Sequence, residues 1–167
     1  SSAPPWRPAT ATACYNFWPW EKNIAMLWEI DIYPADNQHD LDAARVAEEA
    51  ADLHLVSGLQ VRTGRGYLVQ GDLDQQAVLR IAGQLLADGV VERTVVAPVG
   101  HGVLTDPPGP EFKHLVYVLP KPGVMDPGPL SPLRAIHDLG LAADEVRTFR
   151  KYWFADLDHE TLERLAG

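Results

Sequence analysis

The groups whose types and spacing could do chemistry are two acidic pairs, Asp72/Asp74 and Asp156/Asp158, and a basic run, Arg147, Arg150 and Lys151, with a counterpart at Arg62 and Arg65. Paired carboxylates can serve acid–base steps or hold Mg2+. Here each pair opens a helical pattern, where a carboxylate caps free backbone N–H groups and complements the helix dipole. Asp72 is placed as an N-cap with Gln75 at the capping-box position, and Asp156 as the cap of a second helix. Capping accounts for both pairs. On a strand, Arg147 and Lys151 share a face and Arg150 opposes them. Such a basic strand in an acidic chain could meet a phosphate or an acidic partner, or pair with carboxylates of neighbouring helices.

Other catalytic signals are missing. The sequence has no glycine loop of the GxGxxG type, nor GxxxxGK followed by Ser or Thr. Its one cysteine, Cys14, stands in an irregular tail without a histidine beside it, and a lone cysteine forms no disulfide within the chain. The six histidines (His39, His54, His101, His114, His137, His159) include no pair at i, i+4, so no metal site is expected. The expectation is that no residue of this chain is catalytic and none ligates a metal.

The elements that must position these groups begin late. Residues 1–25 hold Pro4, Pro5, Pro8 and Pro19 and three of the five tryptophans without a structural period, and Met26 precedes the first good strand. They are read as an irregular tail, upstream of a natural start at Met26 or a linker. Leu27–Ile32 reads as a strand ending at Pro34. Leu41, Ala44, Ala47, Ala50, Ala51 and Leu55 then recur at helical spacing. Leu59–Gln70 is a strand, Leu73–Leu86 a helix, and Val90–Val99 a third strand. Residues 100–113 (GHGVLTDPPGPEFK) read as a Gly/Pro-rich linker. The pattern then restarts: a strand at Leu115–Leu119 ending at Pro120, a helix through Leu130 to Leu139, a strand at Val146–Phe154 and a helix from Leu157.

The restart is a sequence repeat. Val61-Arg62-Thr63-Gly64-Arg65-Gly66-Tyr67 matches Val146-Arg147-Thr148-Phe149-Arg150-Lys151-Tyr152 at an offset of 85. Asp72-Leu73-Asp74 matches Asp156-Leu157-Asp158 at 84, and Pro34 matches Pro120 at 86. A near-constant offset implies duplication. The domain reading is a tail (1–25), a β-α-β-α-β module (26–99), a linker (100–113) and a second, incomplete module (114–167). The fold class expected is α+β, two tandem modules with the second truncated. The two repeated strands should each lie between two helices, and the module sheets should pack or join about a pseudo-twofold axis. The offset would put the second module's third strand near 174–183, so the chain reads as a piece of a longer polypeptide.

The segment Lys121-Pro122-Gly123-Val124-Met125-Asp126-Pro127 is the most distinctive. With Val146, Arg147, Lys151 and Tyr152 it resembles the signature of the PurS component of phosphoribosylformylglycinamidine synthase. That family carries a Lys-x-Gly-Val-x-Asp-Pro run, a helix, and a strand with a Val-Arg…Lys-Tyr pattern. Lys121, Gly123, Val124, Asp126, Pro127, Arg147, Lys151 and Tyr152 are the matching family-motif or interface positions. Arg150 stands where the family usually has Gly, and the first module has Ala35-Asp36-Asn37-Gln38 in place of the run. The tandem arrangement is similar to the N-terminal region of the large, fused PurL-type synthase. The resemblance implies a structural and assembly role in de novo purine biosynthesis. The whole ligase converts formylglycinamide ribonucleotide, glutamine and ATP to the amidine. ATP and Mg2+ would belong to a PurL-type synthetase domain and glutamine hydrolysis to a glutaminase domain or subunit. Both are implied partners, and this chain alone is expected to be inactive.

Composition bounds the alternatives. Lys plus Arg number 14 and Asp plus Glu 23, a net charge of −9, which opposes nucleic-acid binding. No apolar run reaches membrane-spanning length and no signal peptide is evident, so no membrane partner and a cytoplasmic setting are expected. The competing reading is a ferredoxin-like module that senses a small ligand or docks a protein.

Overall fold

The computed structural model describes residues 27–121 and 130–166. The chain is α+β. Its strands are β1 (Leu27–Pro34), β2 (Val61–Asp72), β3 (Glu92–Pro98), β4 (Phe112–Val118) and β5 (Ala142–Ala155). Its helices are α1 (Leu41–Asp52), α2 (Gln75–Ile81), α3 (Leu130–Asp138) and α4 (His159–Ala166). A π-helical turn, Ala82–Leu86, extends α2, and a 3-10 turn, Gly102–Thr105, lies between β3 and β4.

All five strands join one antiparallel sheet in the order β3-β1-β2-β5-β4. The two repeated segments are both strands, β2 and β5, and each lies between two helices in the chain. They pair with each other, so the two halves join into a single sheet. Period-2 alternation decides which side of the sheet each residue faces. Ile30, Ile32, Val69 and Val146 pack with Val78, Ile81 and Ile136 of the helical layer. Val61, Val116 and Phe154 pack with Ala43, Ala50 and Leu162. Thus all four helices cover one face.

The other face is not left to solvent. Leu27, Leu68 and Phe149 form one apolar cluster there, and Tyr33, Phe112, Leu115 and Trp153 form another. The stretch read as a free linker is part of this layer: Leu104, in its 3-10 turn, is 2% exposed and Phe112 is 7% exposed. Its Gly/Pro content breaks regular structure, but its apolar residues dock, and it serves as a strap from β3 to β4.

The cap assignments also need correction. Asp72 ends β2; the N-cap of α2 is Asp74, whose carboxylate accepts from the Ala77 N–H at 2.8 Å. Asp158, not Asp156, accepts from the Thr161 N–H at 2.7 Å at the start of α4, and Asp156 instead pairs with Lys113 at 3.0 Å. The shift by two residues is the same in both halves. Either carboxylate of each pair could cap, and the length of the preceding strand selects the second.

Candidate functional site

The most unusual chemistry of the molecule lies under the strap, on the face away from the helices. Alternation along β1 sends Ile30 and Ile32 into the helical core and Glu29, Asp31 and Tyr33 to this second face. Alternation along β5 sends Phe149, Lys151 and Trp153 to the same side. Between β1 and β5 lies β2, which here presents Gly64 opposite Lys151 and Gly66 opposite Phe149 and Asp31.

Glycine is poor in a strand interior unless something approaches closely. Here it does. A Cβ on Gly66 would lie 2.1 Å from Cζ of Phe149, and one on Gly64 would lie 2.7 Å from Cε1 of Tyr33. The two glycines form a trough across which β5 side chains reach toward β1.

The Lys151 ammonium uses its three N–H donors within this enclosure. It donates to Asp31 Oδ2 at 2.5 Å, to Glu29 Oε1 at 3.3 Å, and to the backbone carbonyl of Leu104 in the strap. The Tyr117 hydroxyl donates to Glu29 Oε1 at 3.0 Å, and the Tyr33 hydroxyl to Asp31 Oδ2 at 3.3 Å. The ammonium also lies 4.8 Å from the Tyr117 ring centroid. Lys151 is 0% exposed, Asp31 1% and Glu29 5%.

One enclosed cation facing two enclosed carboxylates sets the charge balance. Burial, reinforced by the neighbouring Asp31 charge, pushes the Glu29 carboxyl up to about 8, against the pull of Lys151. Burial alone would lower the proton affinity of Lys151, but the Asp31 and Glu29 carboxylates together shift it upward. The neutral-pH arrangement is therefore a Lys151–Asp31 ion pair beside a protonated Glu29. Burial also raises both phenols, Tyr33 to about 12 and Tyr117 further still, so both stay protonated donors. This constellation ties four elements together: β1, β4, β5 and the strap.

The residues singled out by sequence fall in different places. Lys151 is in the cluster. Arg147 points away from it in function, donating to Glu145 Oε1 at 2.5 Å. Arg150 lies on the helical face, as alternation demands, and pairs with Asp42 of α1 at 3.0 Å. Tyr152 is also on the helical face, stacked on Phe154 with centroids 6.3 Å apart. Lys121 is exposed. Gly123, Val124, Asp126 and Pro127 lie outside the described residues, as does Cys14.

Sequence reading missed Glu29, Asp31, Tyr33 and Tyr117, because polar residues alternating with Ile on a strand look like a solvent face. It also missed Asp40. This buried carboxylate caps α1 by accepting from the Ala43 N–H at 2.9 Å, and it accepts from both the N–H and hydroxyl of Thr63 at 2.8 and 2.7 Å. Asp40 stands 86 residues before Asp126, the offset that relates Pro34 to Pro120.

A separate surface cavity of about 440 Å3 lies along α3, lined among the described residues by Ser131, Leu133, Arg134 and His137. His137 is engaged there with the Ala143 carbonyl at 2.7 Å. Among the described residues no group of three His, Cys, Asp or Glu is placed to hold a metal ion, and no helix is long and apolar enough to cross a membrane.

No family model, no curated protein and no solved structure matches this chain.

Proposed function

We propose that this chain is a PurS-like structural and assembly part of a phosphoribosylformylglycinamidine synthase, built from two tandem modules. The observation that carries the reading is the register at the centre of the sheet. Arg65 and Arg150, equivalent in the repeat, lie directly opposite each other. The outer pairs follow: Ile32 is opposite Arg65 and Val118 opposite Arg150; Asp31 is opposite Gly66 and Tyr117 opposite Lys151. Five consecutive pairs between β1 and β2, Trp28–Val69 through Ile32–Arg65, map in this way onto pairs between β4 and β5, and the correspondence ends at the register shift between Phe112 and His114. A duplicated unit joined about a pseudo-twofold axis is the arrangement expected of two PurS-like units in one chain. The motif residues Lys121, Gly123, Val124, Asp126, Pro127, Arg147, Lys151 and Tyr152 add the family resemblance.

In this reading the chain binds a PurL-type synthetase domain and a glutaminase. Those partners supply ATP, Mg2+ and glutamine chemistry in a cytoplasmic purine pathway. The enclosed lysine–carboxylate cluster suits a scaffold, since its polar groups are directed inward and not at a ligand.

The test is reconstitution. Synthetase and glutaminase components of a PurS-dependent synthase, freed of their own PurS part, are mixed with this chain. Glutamine-dependent amidine formation should rise on its addition, while the chain alone gives no ATP turnover and no glutamine hydrolysis. Failure to associate or to raise activity defeats the reading. A saturable heat of binding with a free amino acid or nucleotide, without association, would favour the ligand-sensing module instead.

A further inference from the structure

The strap between β3 and β4 is held to the sheet in an unusual way. The hydrogen bonds of its 3-10 turn are local: Leu104 N–H to His101 O, Asp106 N–H to Val103 O, Val103 N–H to His101 Nδ1 and Thr105 Oγ1 to Gly102 O. Among the described residues, the side-chain donor that reaches residues 100–109 from the sheet is the Lys151 ammonium, at the Leu104 carbonyl. The apolar side chain of Leu104 itself is buried and anchors the turn as well. The three N–H donors of Lys151 are thus divided between the strap and two carboxylates that face the same cation.

We propose that Lys151, Glu29 and Asp31 form a charge-balanced latch, and that opening of the strap is coupled to release of one proton from Glu29. The inference stands apart from the assignment to a PurS-like role. While the strap is closed, one cation faces one carboxylate charge, and Glu29 must keep its proton because a second enclosed negative charge has no partner. When the strap lifts, water reaches the cluster, Glu29 returns to ordinary carboxylate behaviour and the proton leaves. Alkaline conditions therefore favour the open strap, and acid favours the closed one.

The groups that face Glu29 are few. β1 contributes Asp31, β5 contributes Lys151, β4 contributes Tyr117, and the strap contributes the Leu104 carbonyl. β2 presents Leu68 opposite Glu29, and β3 presents Ala97, neither of which titrates. Burial raises the Glu29 carboxyl to about 8, which fits a proton held in the closed form. His101 on the strap is exposed and outside the cluster.

Amide exchange of Val103, Leu104 and Asp106 in the full chain tests the latch, corrected for the intrinsic pH dependence of exchange. In the unmodified protein the opening equilibrium should rise about tenfold per pH unit between pH 5.5 and 7.5 and level off above about 8, the slope of one proton. In Glu29→Gln, which keeps the shape but carries no titrating proton, that slope should vanish. A pH-independent opening in the unmodified protein, or an equal slope in Glu29→Gln, overturns the proposal. Should the variant fail to fold, the carboxyl carbon of Glu29 in the unmodified protein can be followed by NMR. A titration midpoint near 8 supports the latch, and one below pH 6 overturns it.

Discussion

Arg65 of β2 lies directly across from Arg150 of β5, and the two are the same position of the sequence repeat. Like charges placed opposite each other in an antiparallel pair repel. Each is therefore neutralised by a carboxylate of the first half. Arg65 binds Glu92 at 3.0 Å and donates to the Leu86 carbonyl at 2.9 Å, satisfying the end of the π-helical turn. Arg150 binds Asp42 at the start of α1. Two arginines thus meet at the centre of the sheet, and carboxylates from β3 and α1 make that tolerable.

The two arginines should not be equal in a stability measurement. Arg65 is half-buried and closes a backbone carbonyl, so Arg65→Ala should cost about 1.5–3 kcal/mol, the range for a hydrogen bond to a charged group. Arg150 is an exposed pair, and Arg150→Ala should cost about 0–1 kcal/mol. Urea unfolding of both variants checks the order; equal losses would contradict the burial difference on which it rests.

Lys151 is the enclosed charge on which two carboxylates depend. Lys151→Met keeps the aliphatic volume and removes the cation, leaving Asp31 facing an apolar group. The expected loss is about 3–5 kcal/mol, the cost of orphaning a buried ion. Adding Asp31→Asn should recover part of it, because the remaining partner then carries no charge. A double variant as unstable as the sum of the two single losses would mean that the two groups are not coupled.

The strands and helices were legible in the sequence because their periods are sharp, and the two repeated segments were legible as strands because Arg65 and Arg150 sit in matching runs. That these two strands pair directly, with Arg65 across from Arg150, was not, since pairing register depends on which strands meet. The cluster was hidden for a different reason. Lys151 and Asp31 are far apart in the chain, and alternation in Glu29-Ile30-Asp31-Ile32 shows which residues share a face but not whether that face is covered. The cover is the strap, whose glycines and prolines read as a linker although Leu104 anchors it. The caps were misplaced by two residues because Asp72 and Asp74, like Asp156 and Asp158, offer the same chemistry on either side of the true boundary.

Gly66 provides a test of the trough. Gly66→Ala would place a Cβ inside the Phe149 ring, which must move against Leu27 and Leu68. A loss of about 1–3 kcal/mol is expected from overpacking. Pairing it with Phe149→Leu should give a less-than-additive loss, since the smaller side chain relieves the contact. Strict additivity would place the ring elsewhere.

Global stability should carry the Glu29 signature too. Its folded value, about 8, lies above the unfolded value near 4.5. A carboxyl raised on folding contributes stability that is fully present below its unfolded value and is lost as pH rises through the folded one. Stability of the unmodified protein relative to Glu29→Gln should therefore fall between about pH 4.5 and 8 by up to about 1.4 kcal/mol per unit. Asp158 works in the opposite sense: hydrogen bonds from Thr161 lower it, so its contribution is lost as pH falls through its folded value. A difference curve between the two proteins that is flat from pH 5 to 8 would refute the assignment of the proton to Glu29.

Asp40 links the first helix to the centre of the sheet, and the repeat extends the argument to the second half. Asp40→Ala removes the cap of α1 and leaves the Thr63 N–H and hydroxyl without their acceptor in a buried setting. A cap is worth about 1 kcal/mol and buried unsatisfied donors add about 1–3 kcal/mol, so a loss of about 2–4 kcal/mol is expected. Asp40→Asn keeps one acceptor oxygen and should lose less. Asp126 stands 86 residues after Asp40, and Thr148 stands 85 after Thr63, the offsets that relate β1 to β4 and β2 to β5. Asp126 itself lies outside the described residues. If the duplication governs function as well as register, Asp126→Ala should lose stability of the same order as Asp40→Ala, with Asp126→Asn again milder. Denaturant midpoints of the four variants decide the matter: an Asp126→Ala loss below about 0.5 kcal/mol, within the range of an ordinary surface change, would break the equivalence of the two halves at this position.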